Sequence, residues 1–177
     1  SSSLDNVFAI AELSTGRILV GGGSDTGDGD VYYNDNNGIG TWTLSEWNIT
    51  DGFDINNDGI VSTNLLSEFE CSYSETLLFE PNNIVSLNTT FNPLFEIKLL
   101  NNSTDEYNFN VECDRDGVIS LATFYSKSGN AVTIGESEAL INDNKISLVF
   151  KDRIEIFNED GSQIIETKDL TLVYQKQ

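Results

Sequence analysis

The stretch Tyr107-Asn108-Phe109-Asn110-Val111 decides the fold class, because apolar and polar side chains alternate along it without a break. A period of two places one face of a β-strand against a core and leaves the other face in water, as in antiparallel sheets. Similar alternation recurs at residues 41–45, 95–99, 146–150, 154–156 and 170–174. The sequence therefore predicts an all-β protein.

Runs rich in Asn, Asp, Ser and Gly separate these predicted strands, at 101–103, 128–130, 142–144 and 159–161. Strand, tight turn and strand at short spacing predict an antiparallel up-and-down β-barrel domain over residues 39–177. Within residues 62–69 the apolar Leu65, Leu66 and Phe69 share one helical face, which predicts one short helix after the first barrel strand. The large side chains expected inside the barrel, where they could line a pocket or fill it, are Phe95, Phe109, Leu121 and Phe150.

The chain before the predicted barrel divides into two parts. Residues 1–20 form an N-terminal segment in which two apolar runs flank Ser14-Thr15-Gly16, the pattern of a β-hairpin. Residues 21–38 are acidic and dense in Gly, Asp and Asn, which is typical of a linker or long loop.

The sequence Gly40-Thr41-Trp42 opens the predicted barrel, and residues 170–176 supply an apolar strand at its end. In this order of elements the chain resembles the lipocalin-like domains of bacterial surface lipoproteins. The resemblance implies that Trp42 closes one end of the barrel, with Arg153 or Lys168 as the candidate cation stacked on its ring. It also implies an apolar or amphipathic small ligand in the interior. The implied location is the outer membrane, cell surface or periplasm, with a lipid anchor upstream of Ser1.

Charge excludes some partners. The chain has 29 acidic and 9 basic residues, a net charge of −20, which disfavours binding to nucleic acid and docking on anionic lipid. No apolar run approaches the length of a membrane-spanning helix. No Lys or Arg lies between Arg17 and Lys98. The acids of that stretch therefore form a solvated acidic surface, or a divalent cation balances part of their charge.

The residue types exclude most catalytic machinery. There is no histidine, so Ser-His-Asp and Cys-His catalysis and His-ligated zinc are ruled out. The phosphate-binding and nucleophile-elbow motifs are also missing from the sequence. We therefore expect no enzymatic activity. A hydrolase that uses paired carboxylates is the remote alternative.

Two cysteines, Cys71 and Cys113, suit one disulfide in an oxidising compartment, and the alternative is a pair of buried thiols. The bridge would tie the predicted helix to the barrel wall. The abundance of acidic residues, Asn and Ser favours export.

The strongest motif for a bound ion begins at Asp54. Residues 54–60 match the D-x-[DN]-x-[DN]-G opening of an EF-hand or dockerin-like calcium loop. In that geometry Asp54, Asn56, Asp58 and the carbonyl of Ile60 bind Ca²⁺. The twelfth position lacks the usual acid, so the other candidate ligands are Asp51 and Glu68. The alternative is an Asx-rich turn without an ion.

Two functions follow from these patterns. The first is a binding module in which the barrel holds an apolar small molecule. The second is a structural or assembly protein in which the barrel is solidly packed and acts through contacts with a protein partner.

Overall fold

The computed structural model describes residues 38–89, 92–101, 103–114 and 119–177. The predicted N-terminal hairpin lies outside these residues, as does nearly all of the predicted linker. The strands are β1 (Gly40–Phe53), β2 (Ser62–Asn64), β3 (Thr76–Phe79), β4 (Ile84–Thr89), β5 (Asn92–Leu99), β6 (Tyr107–Asp114), β7 (Ile119–Ser128), β8 (Ala131–Ile134), β9 (Ser137–Asn142), β10 (Lys145–Phe157) and β11 (Ile164–Lys176).

Eight of these strands close a barrel. Around the wall the order is β1, β3, β4, β7, β8, β9, β10 and β11, and β11 pairs with β1 to complete the circle. Each neighbouring pair in the wall is antiparallel. The predicted fold class, an all-β antiparallel barrel, is confirmed.

Alternating side chains build the barrel interior. Along β11, Leu170, Leu172 and Tyr174 point inward and are buried. A bulge in β1 between Leu44 and Glu46 shifts the pairing register, so that Trp47 lies opposite Leu172. The bulge therefore keeps the inner face of β1 apolar from Trp42 to Ile49.

The β5–β6 hairpin lies outside the barrel wall, contrary to the prediction that Phe95 and Phe109 are interior barrel positions. Beyond the end of β9, β5 pairs in parallel with β10, with Ile97 opposite Ile156. Its apolar side chains cover Trp47 at the end of the barrel. A period of two identifies a buried face but not the surface that buries it. Leu121 and Phe150 do lie on barrel strands and are partly buried against the core.

The predicted short helix is wrong, because only a 3-10 turn, Leu65–Ser67, forms after β1. Residues Ser62–Asn64 pair with β1 as β2 instead. The Asn64 side chain accepts hydrogen bonds from the N–H groups of Leu66 and Trp47, at 3.2 and 2.9 Å, which ties the turn to β1. The few residues that remain cannot offset the cost of nucleating an α-helix.

A disulfide joins Cys71 to Cys113, as predicted. Cys71 follows the 3-10 turn and Cys113 lies in β6, with their Cα atoms 5.5 Å apart. Because β6 lies outside the wall, the bridge joins the segment after the 3-10 turn to the β5–β6 hairpin and not to a wall strand.

Among the described residues, no helix has the length and apolar character needed to cross a membrane.

Candidate functional site

The structure brings Asp54, Asn56 and Asp58 together in one tight, exposed loop between β1 and β2. The N–H of Asp58 donates to Oδ1 of Asp54 and to Oδ1 of Asn56, each at 3.0 Å. The N–H of Gly59 donates to Oδ2 of Asp54 at 2.9 Å, and that of Ile60 to Oδ1 of Asp58 at 2.8 Å. Asp54 and Asn56 therefore both direct a side-chain oxygen at the N–H of Asp58.

The backbone of this loop is curled by two residues in the left-handed region, Asn57 at φ 57° and Gly59 at φ 87°. Asn and Gly are the residues that adopt this region most readily. Gly52 lets β2 approach β1, since a Cβ there would lie 2.0 Å from the carbonyl oxygen of Ser62. The curl and the hydrogen bonds are common to a calcium loop and to an Asx-rich turn.

Glu68 contacts the loop through the backbone rather than through the candidate ligands. Its Oε2 accepts the N–H of Ile55 at 2.9 Å and that of Asn56 at 3.4 Å. The side chain is buried. Glu68 therefore anchors the start of the loop to the 3-10 turn, a role that the sequence motif did not indicate.

Asp51 points elsewhere. Its Oδ2 lies 3.8 Å from Nζ of Lys168, and Lys168 also pairs with Glu166 at 2.7 Å. In the described part of the chain, no three Asp, Glu, Cys or His side chains form a metal-binding group. The loop offers two carboxylates, Asp54 and Asp58, and its other candidate ligands are amide and carbonyl oxygens.

Several side chains of the barrel interior are fully buried. Trp42, Ile134, Ile146 and Leu172, which come from four different wall strands, are each 0% exposed. A cavity that could hold a water molecule would leave accessible area on the side chains around it. These positions are therefore in contact with protein on every side.

One carboxylate and one phenol lie within this apolar interior, and the sequence did not single out either. Glu75, directly before β3, is 0% exposed, and Tyr174 is 1% exposed. Burial raises the pKa of Tyr174 well above its usual value, and the charge of Glu75 raises it further. Neither group is accessible to a substrate, so this pair cannot serve as a catalytic site in the folded state.

The end of the barrel at the start of β1 is built around Trp42. Its indole Nε1 donates to the carbonyl oxygen of Gly38 at 2.9 Å. The cation over its ring is Lys176, with Nζ 5.5 Å from the ring centroid. Of the two predicted cations, Lys168 lies over Phe53 instead, at 5.9 Å. Lys176 sits beside Trp42 because β11 pairs with β1, a neighbour relation that no local motif encodes.

At the opposite end, an aromatic layer joins the barrel to the β5–β6 hairpin. Trp47 contacts Phe69 edge-on at a centroid distance of 6.1 Å, and Phe69 contacts Phe95 at 5.5 Å. Phe53 meets Tyr107 at 5.0 Å and Phe109 at 5.5 Å. The barrel core therefore continues without a break into the hairpin.

No protein-family model, no curated protein and no solved structure matches this chain. What the chain does must therefore be inferred from its own geometry.

Proposed function

We propose that this chain is a non-enzymatic, exported module whose solid β-barrel works through contacts of its outer surface with a protein partner. Burial of interior side chains carries the proposal, because fully buried positions on four wall strands favour a packed barrel over a hollow one. The disulfide supports an oxidising compartment. The lipocalin-like architecture would then serve as a rigid scaffold rather than as a container.

A test of ligand binding separates this proposal from a hollow barrel. We expect no saturable binding of a fluorescent fatty acid and no bound small molecule in native mass spectrometry of protein purified from its own host. A known fatty-acid-binding protein is the positive control. Saturable binding that is lost on replacing an interior residue such as Ile146 would contradict the packed barrel and favour the ligand-binding alternative.

We also propose that the loop of residues 54–60 binds Ca²⁺ through Asp54, Asn56, Asp58 and the carbonyl of Ile60. The match of residues 54–60 to a calcium-loop motif supports this assignment, and the hydrogen bonds of the loop are compatible with it. Calcium accepts flexible all-oxygen sites, whereas magnesium demands strict octahedral geometry. With two carboxylates, the affinity is expected in the range of about 10⁻⁴–10⁻³ M that extracellular modules show.

The calcium proposal predicts a melting temperature that depends on the ion. At a concentration ten times Kd, binding to the folded state alone stabilises by about 1.4 kcal/mol. For a chain of this size this corresponds to a rise of about 3–6 °C, measured by scanning calorimetry in calcium against chelator. Asp58→Ala should abolish the rise.

Asp160→Ala is the matched control, because Oδ1 of Asp160 accepts the N–H of Ser162 at 2.8 Å in a comparable exposed turn. This variant should keep the full calcium response. Identical melting of the wild type in calcium and in chelator would leave the loop as an Asx-rich turn.

A further inference from the structure

In the part of the chain that the structure describes, the sheet ends in an open edge at β6. The strand order ends there, and β6 pairs with β5 and with no other strand of the described chain. Each residue of an edge strand has N–H and C=O groups, and those on the open side can pair with an added strand. Such an edge is a ready site for an extended segment of another protein.

This edge lacks several of the features with which proteins usually prevent pairing. Protected edges are short, bulged or covered, or carry proline or charged residues, lysine above all. The strand Tyr107–Asp114 has eight residues, none of which is lysine or proline. Its register with β5 runs over eight residue pairs without a shift. A regular edge of this length can accept a strand of similar length.

The two faces of the edge differ in chemistry. On one face Tyr107, Phe109 and Val111 are partly buried and pack against the core. On the other face Asn108 and Asn110 are exposed and polar. An added strand would therefore place alternate side chains beside an apolar row and a polar row.

The charge of the hairpin indicates the sign of its partner. Across residues 92–114 the only basic residue is Lys98, and its Nζ lies 2.8 Å from Oε2 of Glu96. The acidic residues of the same segment are Glu96, Asp105, Glu106, Glu112 and Asp114. A cationic segment would be attracted to this edge, whereas a second copy of this chain, with its net charge of −20, would be repelled.

The hairpin is held in place before any partner arrives. The disulfide fastens Cys113 to Cys71, and Ile97 pairs with Ile156 of the long hairpin β10–β11. A site held in its binding geometry loses little conformational entropy on binding.

We propose that β6 binds an extended, positively charged segment of a partner protein as an added β-strand, with lysine or arginine alternating with apolar residues. This inference rests on the proposed function, since it names the surface through which the solid barrel would act. The cationic side chains lie along the row of Asn108, Asn110 and Glu112. The apolar side chains pack beside Tyr107, Phe109 and Val111.

The probe is a nine-residue peptide in which lysine alternates with valine, tested on the full chain. We expect saturable binding by fluorescence anisotropy at physiological ionic strength. In solution NMR, shifts of backbone amide signals should be concentrated in residues 107–113.

Asn110→Lys should weaken binding about fivefold, because it places a like charge beside the peptide. Ser126→Lys is the matched control: it adds the same charge on β7, whose neighbours are β4 and β8, and should change affinity less than twofold.

A second peptide of the same sequence, built from alternating L- and D-residues, keeps the charge but cannot place alternate side chains on opposite faces. It should not bind. Equal binding of both peptides, or an equal effect of the two lysine variants, would show general attraction to an acidic surface and overturn the inference. Dimerisation of the wild type that Asn110→Lys abolishes would also overturn it, in favour of a second copy. If the peptide does not bind and the fatty-acid assay also shows no interior ligand, the added-strand inference is contradicted while the proposed function is not.

Discussion

Removing the disulfide tests how strongly the bond between Cys71 and Cys113 stabilises the folded state. The bridge joins cysteines 42 residues apart in sequence. In the chain-entropy model a closed loop of that length stabilises the folded state by about 4 kcal/mol, because it restricts the unfolded chain. For a chain of this size that corresponds to a fall in Tm of about 8–16 °C. The perturbation is the double replacement Cys71→Ala and Cys113→Ala.

Urea unfolding, followed by tryptophan fluorescence, measures the free energy of unfolding of both proteins. The oxidised wild type should exceed the double variant by about 4 kcal/mol. Reduced wild type, with its thiols alkylated in denaturant, checks that the loss comes from the bond and not from the alanines. A difference below about 1 kcal/mol would refute the reasoning, because the bridge would then close a loop that the unfolded chain already keeps compact.

Three further predictions concern the barrel. Leu172→Ala should lower the free energy of unfolding by about 3–5 kcal/mol in urea titration, because Leu172 is fully buried. A loss below about 2 kcal/mol would contradict tight packing around this side chain. Burial raises the pKa of Tyr174, so the folded state loses stability as pH rises above about 10, where the unfolded chain ionises this phenol. Tyr174→Phe should remove about 1.4 kcal/mol of that loss per pH unit, measured as the free energy of unfolding at pH 9 and 11. The hydrogen bond from Lys145 lowers the pKa of Glu46, so its stabilisation is present at neutral pH and lost as pH falls below about 4. Glu46→Gln should therefore cost about 0.2–1 kcal/mol at pH 7, and equal wild-type and variant stabilities at pH 7 would count against this pair.

The strands could be predicted because their periodicity is local. The alternation in 107–111 and 170–174 reports that one face is buried, and both stretches are strands in the structure. The disulfide was also predictable, since two cysteines allow one pairing. The tight loop at Asp54, Asn56 and Asp58 was predictable from a motif rich in turn-forming residues, whereas the bound ion stays a prediction.

What could not be predicted depends on contacts between residues far apart in sequence. The position of the β5–β6 hairpin is set by Trp47 and by the distal part of β10, and alternation alone does not name such partners. Similarly, Glu75 lies inside the barrel although a glutamate is usually exposed. The expected helix failed because Asn64 bonds to Trp47 on β1, a contact that helix-capping rules do not consider.

The pairing of β1 with β11 also governs how the protein is made. Seven residue pairs join these strands, which are the first and the last of the barrel. On a ribosome, β1 emerges more than a hundred residues before the partner that must cover its open side. Until residues 170–176 leave the exit tunnel, the wall cannot close and the nascent chain exposes unpaired strands that favour aggregation. We expect ribosome-bound chains that stop before β11 to require a holding chaperone, and the barrel wall to close only once β11 has left the tunnel.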